Sequence, residues 1–138
     1  MAQLSFSGLD DLMLSLEEVA EIPDEVAEAM LTAETKVVED AQIAYGIQMG
    51  VYRTGETLAS IHPGRMKRDR DGARIIYVTP QGRNEKGERN AAVAFINEYG
   101  KRGQAPRPFI AAANEASATP AVEAAAKVYD EFLKSKGL

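Results

Sequence analysis

His62 is the one histidine in 138 residues, and no cysteine accompanies it. Disulfides, zinc thiolate centres, cysteine nucleophiles and two-histidine metal sites are therefore excluded. His62 precedes Pro63 in a turn, with no neighbour in sequence placed to orient or tune it. It reads as a turn histidine rather than a general base. The serines are Ser5, Ser7, Ser15, Ser60, Ser117 and Ser135. None stands in a Gly-x-Ser-x-Gly elbow, and Ser60, two residues from His62, is not read as its nucleophile partner. The stretch from Gly82 to Gly87 lacks the following Lys-Ser/Thr of a phosphate loop. Glu17, Glu18, Glu21, Glu25 and Glu28 read as solvated helix faces, because nothing separates two of them into distinct environments. The expectation is a protein without catalysis, metal or cofactor.

Charge is the other chemistry on offer. Residues 1–52 hold eleven acids against one lysine, residues 53–107 twelve Lys and Arg against six acids, and the chain totals −5. Such segregation is often only a set of solvated faces. It also fits a self-complementary pattern in which an acidic helix of one subunit meets basic loops of its neighbour. The alternative is an accessory protein that binds nucleic acid through the basic 53–107 region. The sharpest basic stretch holds Arg65, Lys67, Arg68 and Arg70. Asp69 and Asp71 dilute it and no aromatic interleaves with it, which favours a protein neighbour over specific nucleic-acid binding.

Those groups must be carried by elements, and the expected fold class is α+β. Leu4 and Phe6 alternate in a short strand over residues 3–7, and Asp10 or Asp11 starts a helix running to about Ala20. Pro23 and Asp24 open a long amphipathic helix that ends near Gly50, with Val26, Met30, Ala33, Val37, Ala41, Ala44 and Gln48 at helical spacing. Thr54 and Gly55 lead into one or two helical turns. Asp71-Gly72 is a turn pair closing a small antiparallel β-hairpin, whose second arm, residues 73–80, is the clearest strand. Residues 91–99 favour a helix ended by Gly100. Residues 109–118 begin another helix, and Pro120 fits the first turn of a separate C-terminal one over 121–136, packed on the sheet. That last helix sets Val122, Ala125, Val128 or Tyr129, and Phe132 on one face. One domain spans 1–138, with exposed, mobile loops near 62–72 and 80–90 and no internal repeat at periods of 20 to 50 residues. No apolar run nears the ~20 residues of a membrane span, and the first residues lack the pattern of a signal peptide.

Two segments carry a resemblance. In the first, Arg53, Thr54, Gly55, Leu58, Ser60 and Ile61 follow a long helix. In the second, Phe95, Glu98, Tyr99 and Gly100 lead to Pro106, Arg107, Pro108, Phe109 and Ile110 and a closing helix. Together they resemble the head–tail joining or tail-completion components of siphophages and prophages, the lambdoid-type minor tail component family. Lys101 departs from that pattern, which usually has Thr there. The resemblance implies a structural phage protein at the head–tail junction, made in the host bacterial cytoplasm and carried in the virion. Its implied partners are connector, neck or tail-tube proteins, with a homo-oligomeric ring. Arg53, Arg65, Lys67, Arg68, Arg70, Arg102, Arg107 and Phe109 are the expected contact residues. Thr54, Gly55, Glu98, Tyr99, Gly100, Pro106 and Pro108 form the structural motif. For Phe109 two readings stand open, a plug of its own core beside Tyr99 and an anchor for a neighbour.

Overall fold

The computed structural model describes residues 22–51 and 55–137. The expected strand at 3–7 and the helix ending near Ala20 lie outside the described residues. Helix α1, Asp24–Gln48, opens on Pro23, whose carbonyl accepts from Val26 N and Ala27 N at 3.0 Å. Asp24 and Glu25 occupy its first turn, where carboxylates favour the positive end of the helix dipole. Gly50, at φ +82°, supplies the left-handed turn beyond its end. The closing helix α4, Phe109–Ser135, runs antiparallel to α1. Gly46 faces Phe109 at one end, Gln42 Nε2 donates to Asn114 Oδ1 at 2.9 Å, and Met30 meets Val122 at the other. With the small antiparallel hairpin between them, the fold is α+β as expected. The main contact of α4 is with α1, however, rather than with the strands.

The helix pair buries two apolar clusters, one at each end. The first joins Ile22, Ala27, Met30, Val122, Ala125 and Tyr129. The second joins Val51, Leu58, Ile61, Ala94 and Phe109. Between them the contact is small and polar, with Thr35, Gln42, Ala113 and Ser117 all buried. This composition rotates the buried face of α1 away from the expected stripe. Ala27, Met30, Thr35, Gln42 and Gly46 point inward, while Ala44 and Gln48 are exposed. Gly46 is where Leu58 crosses most closely, so that a Cβ there would collide with Leu58 Cδ2. The expected break before Pro120 is also corrected, since one helix of 27 residues passes through it. Proline in a helix interior forfeits a hydrogen bond, but Ser117, Ala121 and Val122 around it are buried, and that packing holds the helix together.

Residues 61–80 form an interrupted hairpin. Strand β1, Ile61–Pro63, pairs with β4, Val78–Pro80, and β2, Lys67–Arg68, pairs with β3, Arg74–Ile75. Between the ladders, residues 64–66 oppose only residues 76 and 77, a one-residue bulge. The clear strand of the sequence is thus broken in two, and Ile75 and Ile76 are both half-buried instead of alternating. A four-residue helix α2, Glu56–Ala59, precedes β1, and helix α3, Asn90–Tyr99, follows the next loop.

The two loops share a design. Arg68-Asp69-x-x-Gly72-x-Arg74 and Arg83-Asn84-x-x-Gly87-x-Arg89 are one pattern at a spacing of fifteen. In the first, Asp69 Oδ1 accepts from Asp71 N and Ala73 N, both at 2.9 Å, and Arg68 Nη1 donates to the Gly72 carbonyl at 2.8 Å. In the second, Asn84 Oδ1 accepts from Lys86 N and Glu88 N at 3.0 and 2.9 Å, and Arg83 Nη1 donates to the Gly87 carbonyl at 2.8 Å. Gly72 and Gly87, at φ +85° and +79°, take the left-handed step of a three-residue hairpin loop. This spacing is shorter than the 20 to 50 residues of repeat architectures.

Candidate functional site

The second motif segment closes into a clamp between the end of α3 and the start of α4. Glu98 is buried, and its Oε1 and Oε2 accept from Ile110 N at 2.8 Å and Ala111 N at 3.1 Å. These are orphan donors of the first turn of α4, where a carboxylate also meets the positive end of the helix dipole. Gly100 turns the chain at φ +78°, and the Lys101–Gln104 turn brings Pro106 back against it. Arg107 N donates to Asn97 O at 2.6 Å and Arg107 Nη1 to Gly50 O at 3.1 Å, tying this loop to α3 and to the end of α1. Pro108, at φ −77° and ψ 64°, centres an inverse γ-turn in which Phe109 N donates to the Arg107 carbonyl. Phe109 then enters the core with no exposure. Of its two readings, the burial fits the plug of its own core, where the ring packs with Val51, Leu58, Ile61 and Ala94 of its own chain. Tyr99 is not beside it in the core but 66% exposed.

Removing the cap has a definite expected cost. Glu98→Ala should lower stability by about 2 kcal/mol, since two first-turn amides lose a charged acceptor. Chemical denaturation checks this, and Glu98→Gln, which keeps one acceptor oxygen, should recover part of the loss.

The basic residues divide into engaged and free. Arg74 Nη1 bonds Asp24 Oδ1 and the Ile22 carbonyl, each at 2.8 Å, and Arg68 Nη2 lies 3.6 Å from the same carboxylate. Part of the acidic–basic complementarity is therefore spent within the chain, between the first hairpin tip and the start of α1. The Lys67 ammonium sits 4.9 Å above the Tyr77 ring. Arg65, Arg70 and Arg102 are exposed. Lys86, Lys101 and Arg107 share a cleft of about 230 Å³ with Val93, Ile96 and Asn97. Gly55, at φ +77°, starts α2 with open space around it. Arg53 and Thr54 lie outside the described residues.

Three features escape a reading of spacing alone. His62, expected in a turn, stands instead in β1, and its Nδ1 lies 3.6 Å from Glu39 Oε2 in the middle of α1. Glu34 sits half-buried in a groove of about 400 Å³ beside Leu31, Val38, Ile75, Ile76 and Tyr77. Burial pushes its carboxyl above the ordinary value. A carboxyl so raised favours folding fully below its unfolded pKa, and that contribution is lost as pH rises through the folded one. Glu34→Gln should accordingly raise the melting temperature at neutral pH, and the difference should vanish below about pH 4. A melting series across pH tests the sign.

The third feature is a pair of aromatic rings in solvent. Phe95 and Tyr99, one turn apart on α3, are 63% and 66% exposed, with ring centroids 4.7 Å apart. Residues 92, 95, 96 and 99 fall at helical spacing, and their stripe is left outward because α3 turns Ala94 and Glu98 into the core. Lys101 and Arg102 follow directly, exposed and with no ion-pair partner among the described residues. The clamp fixes this patch from both sides, through Glu98 on one and Gly100 on the other. Large apolar rings beside free cations on a rigid support can bind a protein surface or stack with bases. Among the described residues no cluster of three His, Asp or Glu is placed to hold a metal ion, and no helix is long and apolar enough to cross a membrane. Comparison with known proteins finds no matching family model, no matching curated protein and no matching solved structure.

Proposed function

We propose that this chain is a structural phage or prophage protein of the head–tail junction, which works by self-assembly and partner binding without catalysis. The resemblance around residues 53–61 and 95–110 supports the setting. The observation that carries the binding role is the exposed Phe95–Tyr99 pair with Lys101 and Arg102 beside it. Aromatic and basic side chains held on a rigid element are what a contact surface needs, because little entropy is lost on docking. Light scattering over a concentration series, alone and with a connector or tail-tube protein, tests the proposal. Concentration-dependent oligomers or a mixed complex are expected. A chain that stays monomeric and binds neither overturns it. Retention of single-stranded DNA that falls steeply with salt would favour the nucleic-acid reading instead.

A further inference from the structure

The second arm of the hairpin, residues 73–80, has one paired edge and one open edge. Gly64 N donates to the Tyr77 carbonyl, Gln81 N to the Ser60 carbonyl and Asp69 N to the Ala73 carbonyl. Odd-numbered residues therefore turn their backbone groups toward the first arm. By the alternation of an antiparallel strand, Arg74, Ile76 and Val78 turn theirs the other way. Each ladder has only two strands among the described residues. Ile76, between the ladders, makes no backbone hydrogen bond with any described residue.

This open edge adjoins the groove of about 400 Å³ that holds Glu34. Residues 74–78 form one wall, Asn114 and Ala121 of α4 form the other, and α1 is the floor, with Leu31 and Val38 on it. No residue of the first arm lines the groove, which places it on the unpaired side of the second. Gln42 is buried on the α4 side, where its Nε2 meets Asn114, and its Oε1 has no hydrogen-bond partner. That oxygen is an acceptor for an N–H brought by whatever fills the space.

An unpaired strand edge beside an apolar trough fits an extended segment. The edge supplies backbone bonds, and the trough takes every second side chain. About five residues match the length of 74–78, roughly 17 Å. Residues 3–7 have this pattern, with Leu4 and Phe6 alternating with Gln3, Ser5 and Ser7. They are also tethered at the right place. Arg74, a groove residue, bonds the Ile22 carbonyl and the Asp24 carboxylate through Nη1, so Ile22 is held at the groove's rim. Residues 8–21 join the two, and their reach exceeds the groove's length even with a helix over 10–20. The other large exposed apolar side chains, Ile47, Phe95 and Tyr99, lie on helices, whose backbone offers an extended segment no ladder.

We propose that residues 3–7 of the same chain lie in this groove as a third strand against residues 74–78, with Leu4 and Phe6 in the trough. The strand closes an edge that would otherwise pair with other chains. Assembly through the Phe95–Tyr99 patch neither requires nor excludes it.

Amide hydrogen exchange on the full chain tests this. The Ile76 and Val78 amides should exchange about a hundred-fold more slowly than free amides, at the same rate at every protein concentration. Leu4→Asp with Phe6→Asp should restore fast exchange there, while Thr79, paired with His62 of the first arm, keeps its protection. The chain has no native cysteine, so a nitroxide on Ser7→Cys is a unique probe. It should broaden the Ile76 and Val78 resonances of the molecule that carries it, and spare those of an unlabelled copy mixed with it. Should the double variant also expose Thr79, the nitroxide result decides alone. Fast exchange of both amides in the unaltered chain overturns the proposal. Protection that survives the double substitution overturns it as well, because another segment then covers the edge. Broadening only between molecules overturns it in favour of a strand lent by a second copy.

Discussion

Phe109→Ala should destabilise the protein by about 4 kcal/mol, a large share of the total stability of a domain this size. The ring is fully buried, and it contacts both helices through Gly46 and the α2–α3 cluster. Alanine removes the largest apolar group of that cluster and leaves a cavity that the clamped backbone on either side resists collapsing. Arg107 and Glu98 hold the segments flanking Phe109, so the cavity persists rather than being filled. Calorimetry should show a fall in melting temperature of roughly 14 °C. The outcome separates two roles. An unchanged melting temperature with weakened assembly would mean that the ring serves a partner and that its burial here is dispensable.

Gly100→Ala should rank with it, at about 3 kcal/mol or more, for a different reason. At φ +78° and ψ 177° this residue occupies a backbone region essentially reserved for glycine. A Cβ would also stand 2.8 Å from the Gln104 carbonyl oxygen and 2.9 Å from Pro106 N, both backbone atoms unable to swing aside. Relief requires moving the 101–106 loop, and with it the Arg107 tie to Asn97. Gly103→Ala is the control. It shares a positive φ, +82°, but has open space around it, so its cost should be only about 1 kcal/mol. Equal losses from the two variants would show that backbone conformation alone, and not the closeness of Pro106, sets the penalty.

The sequence made α1 legible through its period and its acidic first turn, yet beyond Met30 the buried face lies one or two positions from the expected stripe. Apolar spacing pointed to Ala44 and Gln48, whereas packing chose Thr35, Gln42 and Gly46, residues selected for size rather than hydrophobicity. Pro120 misled in a similar way. A rule about helix ends marked a break, and the buried neighbours Ser117 and Ala121 outweighed it. The candidate site was legible as a motif and illegible as a mechanism. Glu98 and Gly100 stood out, but the partners of Glu98 are backbone amides twelve and thirteen positions ahead, which no local pattern discloses. The Phe95–Tyr99 stripe could be drawn on a helix, while its exposure followed only from which face α3 turned inward.

The twin hairpin tips carry one more consequence. Each is held by an Asx side chain, a left-handed glycine and an arginine folded over the glycine carbonyl. The two side chains at the apex contribute nothing to that scaffold: Arg70 and Asp71 in one, Glu85 and Lys86 in the other, all exposed or nearly so. Fold and surface charge are thereby written in separate positions of the same seven-residue phrase. Mutation can redraw the electrostatic outline of this end of the molecule, to follow a changing neighbour, while the backbone beneath keeps one shape.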